Sequence, residues 1–235
     1  MNDRSLLANG CPKRAKAIEQ VALTLQTSGL RKVAFASAEF DVATAEIARE
    51  VADVCARSGR KTLVIDLSGS EIGPSWMPGA ETSEPSVDAE GGAFHVLSAP
   101  NTFAARSAYN NQSRLAEALS QQFPSYDLIV LYLAGLSDAK DGRINGIAAA
   151  AAADGIIIVC PTNEATTTAM HDAMELVSAA GGKVVGTVLD DRNNPMLSVE
   201  VARVARRALG FMPPLARWAE SRIQRSPLLR TPLFP

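Results

Sequence analysis

Ser37, Asp41 and Thr44 lie within eight residues of one another, directly after the apolar run VAFA, and a further acid, Asp66, closes the run TLVID. Hydroxyls and carboxylates at the ends of apolar runs are the groups that could meet a phosphate or a magnesium ion. A phosphate loop also needs glycines, whose N–H groups can turn inward around the anion, and a lysine for the β- and γ-oxygens. From Phe35 to Arg57 the chain has no glycine and no lysine, and Glu39 and Asp41 put negative charge where the anion would sit. The residues by themselves therefore read as structure. Asp41 is expected to cap a helix, Thr44 to start it, and Asp66 to be an exposed carboxylate in a turn. Asp138 and Asp141 fit the margin of such a site and a solvated loop equally well. His95 and His171 are isolated, the first expected inside a strand and the second on a helix surface, so spacing assembles no metal set and no Ser-His-Asp or Cys-His arrangement.

The elements that would position these residues alternate. Residues 13–27 place Ala17, Ile18, Val21 and Leu25 on one helical face and lead into the strand KVAFAS. A helix over 42–57 ends at Ser58-Gly59 in the manner of a glycine cap. KTLVIDLS, FHVLSAP, YDLIVLYLAG, GIIIVCPT and VVGTVLDD are the remaining strands, and helices are expected at 111–122, 142–153 and 164–182. Residues 68–93, rich in Gly, Pro, Ser and acids, read as one long loop. Strands apolar throughout and separated by helices imply a doubly wound, mostly parallel α/β sheet with helices on both faces. In that class ligands sit beyond the carboxyl ends of the strands, so 37–41, 66–70, 133–138, 161–164 and 190–193 should gather along one edge.

Composition narrows the function classes. The chain has 235 residues, 47% hydrophobic and 20% charged, with a net charge of −2, which gives no global field for nucleic acid. Cys11, Cys55 and Cys160 are far apart and read as reduced thiols, the last two as small buried hydrophobes. The most apolar stretch is cut by Asp154 and Gly155 before it reaches bilayer length. A cytoplasmic protein, at the inner face of the inner membrane, is expected.

Across residues 13–195 the order of segments resembles the bacterial tyrosine kinase domain associated with polysaccharide co-polymerases, a branch of the MinD/ParA-type P-loop ATPases. Ser37-Ala38 matches the end of that family's first strand, VIDLSGS the second and YDLIVLYLAGLSD the third. The stretch from AAAADGIIIVC through VVGTVLDDRN carries the most specific part of the resemblance. It implies a P-loop-like domain over 1–195 and residual nucleotide contacts at Ser37, Asp41, Thr44, Asp66 and Asp190. The departures imply loss of the chemistry. Ser68 stands where a second acid is expected, Ser70 where the family has arginine, Tyr132 where it has the metal-organising Asp, and Ala134 and Gly135 in place of prolines. Phosphoryl transfer works by positioning and charge stabilisation, so these losses imply a pseudokinase with no catalytic residues and no cofactor. ATP and magnesium would enter only if the chain were an active ATPase or tyrosine kinase with an unconventional site. The helical Glu-x-x-Arg-x-x-Arg pattern of ring assembly is also missing, since Glu19 is followed by Ala22 and Leu25. The terminal tyrosine cluster is absent too.

Residues 196–235 are distinct. From 198 onward seven arginines face two glutamates, a net +5 against −7 for the rest of the chain. Arg217, Trp218, Arg222, Ile223 and Arg225 suit an amphipathic element that meets an anionic membrane or an acidic partner groove, or one packed on its own acidic domain. The resemblance implies a non-catalytic component of capsule- or holdfast-type exopolysaccharide export, with an inner-membrane co-polymerase of the chain-length-determinant type as partner. A MinD-type positioning adaptor of pilus assembly is a third reading.

Overall fold

The computed structural model describes residues 12–38, 42–69, 74–77, 86–87, 93–133, 135–136, 143–161 and 166–190, all of them in one compact unit, Met1–Asp190. The 196–235 tail, with Arg217, Trp218, Arg222, Ile223 and Arg225, lies outside them, as do Cys11, Asp41, Asp138 and Asp141.

Helix α1 (Pro12–Thr27) leads into β1 (Lys32–Ala36), α2 (Val42–Arg57) and β2 (Thr62–Asp66). There follow β3 (Ser86–Val87), β4 (His95–Ser98), α3 (Phe103–Ala108), α4 (Gln112–Gln122) and β5 (Leu128–Tyr132). Helix α5 (Gly146–Ala151), β6 (Gly155–Pro161), α6 (Thr167–Ala179) and β7 (Val184–Asp190) complete the unit. The sheet order is β3-β4-β2-β5-β1-β6-β7, with β3 antiparallel to β4 and every other pairing parallel. The mostly parallel α/β sheet read from the sequence is the observed fold.

Apolar residues on both faces of the strands require cover on both sides, and two layers supply it. Ile18, Ala22 and Leu25 of α1 and Ile47, Val51 and Cys55 of α2 pack on Val33, Phe35, Val64, Val96 and Val130. On the opposite face Leu115 and Leu119 of α4, Ala149 of α5, and Ala173 and Val177 of α6 cover Ala34, Ile65, Leu131 and Ile158. Neighbouring strand residues thus go to opposite layers, and the pleat sorts them. Helix starts are capped as their sequences dictate. Asn111 accepts from the Arg114 N–H at 3.1 Å, Asn145 from Ile147 at 2.9 Å, and Thr166 from Ala169 at 3.1 Å. Gly59, at φ +93°, ends α2 where a Cβ would be strained.

Several expectations need correction. The 68–93 loop contains β3, and residues 74–77 run beside β4: the Trp76 N–H donates to the Ser98 carbonyl at 2.8 Å and Ser98 N–H to the Pro74 carbonyl at 2.9 Å. Trp76 itself is fully buried, stacked on Tyr109 at 4.8 Å between ring centres. Helix α3 was not anticipated, α5 is shorter than 142–153, and α6 starts at Thr167. On α1 the buried alanine is Ala22, while Ala17 is exposed. Cys55 is buried, but Cys160, near the carboxyl end of β6, is partly exposed.

Candidate functional site at the carboxyl edge of the sheet

β1, β2, β5, β6 and β7 are parallel, so their carboxyl ends share one edge. Nearly all the buried polar residues gather there. Ser37, Thr44, Asp66, Ser68 and Ser98 are each at most 4% exposed, and Thr62 alone lies at a strand start. The register sets the row: Ser98 stands beside Asp66, Asp66 beside Tyr132, and Tyr132 beside Phe35. Phe35, Val64, Val96 and Val130 belong to the layer under α1 and α2, so period-two alternation sends Ser37, Asp66, Ser98 and Tyr132 toward α2 as well. Thr44, in the first turn of α2, comes from above.

Asp66 is not the exposed turn carboxylate expected from its position. It is buried, and its Oδ1 accepts from the Ser68 N–H at 2.8 Å and from Ser68 Oγ at 2.6 Å. Serine at 68, where a second acid was looked for, thus satisfies the first. Backbone pairing continues past the strand ends: Leu67 N–H donates to the Tyr132 carbonyl at 2.8 Å, Ala99 to Asp66 at 2.7 Å, and Leu136 to Ser37 at 2.9 Å. These bonds carry the backbone pairing a little beyond the strands. The Thr44 Oγ1 is among the buried atoms with no hydrogen-bond partner.

Asp190 lies farther along the same edge. It ends β7, and β5, β1 and β6 lie between it and β2, four strand spacings or roughly 19 Å from Asp66. Of the residues expected to contact nucleotide, Ser37, Asp66 and Asp190 lie at strand ends on this edge, with Ser37 at the end of β1 two strand spacings from both β2 and β7, and Thr44 lies in the first turn of α2.

Arg143 was missed in the sequence. Its side chain lies along Gly69, with Nε 3.5 Å from where a Cβ at 69 would be, which places a cation just beyond the Asp66–Ser68 turn. A lone arginine before a helix carries no signal of such a placement. The histidines fall as expected. His95 Nδ1 meets the Tyr126 hydroxyl at 2.8 Å, and His171 pairs with Glu175 on the surface of α6. Among the described residues, no group of three or more His, Cys, Asp or Glu could hold a metal ion, and no helix is long and apolar enough to cross a membrane.

No protein-family profile matches the sequence, and no curated protein matches it either. Solved structures do match in fold. The kinase domain of VpsO superposes with a TM-score of 0.61 at 18% identity, covering 76% of this chain and 94% of that one. The kinase domain of the Escherichia coli tyrosine kinase ETK gives 0.58 at 16% identity, over 75% of this chain and 74% of that one. The Aquifex aeolicus MinC:MinD cell division complex gives 0.52 at 16% identity, over 72% and 75%. The chain thus has a fold similar to bacterial tyrosine kinase domains and MinD/ParA-type P-loop proteins.

Proposed function

We propose that this chain is a kinase-like protein without catalysis, acting by contact with an inner-membrane co-polymerase in exopolysaccharide export. One observation carries the reading: between Ala36 and Val42 the chain turns from β1 into α2 with no glycine and no lysine, and offers Glu39 and Asp41 instead. A triphosphate at that turn would meet like charge and no glycine to build an inward-turned cradle of N–H groups. The polar row supports the same reading, since Asp66 is engaged by Ser68 and Tyr132 fills the next register position. The likeness in fold to kinase domains such as those of VpsO and ETK supplies the setting. Titration calorimetry with ATP and magnesium is expected to give no heat of binding, and labelled ATP no turnover. A magnesium-dependent dissociation constant in the low micromolar range would overturn the reading. Copurification with the co-polymerase's cytoplasmic segments tests the contact.

A second reading, an unconventional nucleotide site, draws on the unbonded Thr44 hydroxyl in the first turn of α2, where a phosphate oxygen would be a suitable acceptor. The same calorimetry separates the two.

A further inference from the structure

We draw no further inference here: the strongest candidate, the cluster of Arg106, which donates to the Asn101 carbonyl just past β4, and Arg143, which lies along Gly69 just past β2, borders residues 70–73 and 137–142 outside the described ones, and nothing in the structure shows what covers it.

Discussion

Thr44 and Asp66 look alike in the sequence, each a small polar residue near the end of an apolar run, and the fold treats them differently. Asp66 accepts two bonds from Ser68 and is satisfied, whereas Thr44 Oγ1 is buried without a partner. An unsatisfied buried hydroxyl costs on the order of 1–3 kcal/mol, so the isosteric Thr44→Val is expected to raise stability by about 1 kcal/mol in urea unfolding. A loss of stability would show that the hydroxyl is bonded. Titration gives a second expectation. Burial pushes the Cys55 thiol above its ordinary value, against a smaller opposing effect of the Arg60 charge, and burial likewise raises Tyr109 and Tyr126. Each acid then stays protonated in the native state at pH values where the unfolded chain has already released its proton. The native state binds more protons there, so stability falls as pH rises. The decline should begin near pH 9, where the unfolded thiol ionises, and steepen from pH 10 with the tyrosines. Thermal midpoints measured from pH 7 to 11 check the slope, and Cys55→Ala should remove its first part.

Among the elements, the six parallel strands were legible because each is a short run apolar on both faces, which only a doubly covered sheet accommodates. Helix α2 was legible from its period and its Gly59 stop. The segment 68–93 was not legible, because what organises it is non-local. Residues 74–77 are held by two backbone bonds to the β4 margin and by one indole that stacks on Tyr109 and whose Nε1 donates to Gln122. Composition reports glycine, proline and serine there and says nothing of where one tryptophan goes. Trp76→Ala should therefore cost about 3–5 kcal/mol, as for any large buried aromatic, while Met77→Ala, at an exposed neighbour, should be nearly neutral. Chemical denaturation of the two variants is the comparison; equal effects would show that the segment is an ordinary surface loop.

For the whole molecule, charge is the feature that stands out, with +5 after residue 198 and −7 before it. If Arg217, Trp218, Arg222, Ile223 and Arg225 form an address for a membrane or an acidic partner, deleting 212–235 should leave the unit Met1–Asp190 folded and abolish recruitment to the envelope. Cosedimentation with anionic vesicles should weaken in salt, and replacing the three arginines by glutamate should weaken it further, at about 1 kcal/mol per basic residue. Unfolding of the truncated chain, or its normal localisation, would make the tail part of the core or a passive extension.

The sequence by itself determined the class of fold and most of its elements, since hydrophobic period, glycine stops and strand length are local properties that burial converts directly into structure. It also determined that residues 35–57 lack glycine and lysine, and so what the turn into α2 cannot supply. Only the tertiary structure decided which of the polar residues meet. Ser37 and Asp66 share one edge because β1 and β2 flank β5 in one parallel sheet, and Asp190 lies far from Asp66 because β6 and β7 continue the sheet in the opposite direction. That choice depends on strand order, a long-range property set by how helices pack across the sheet. No spacing along the chain encodes it.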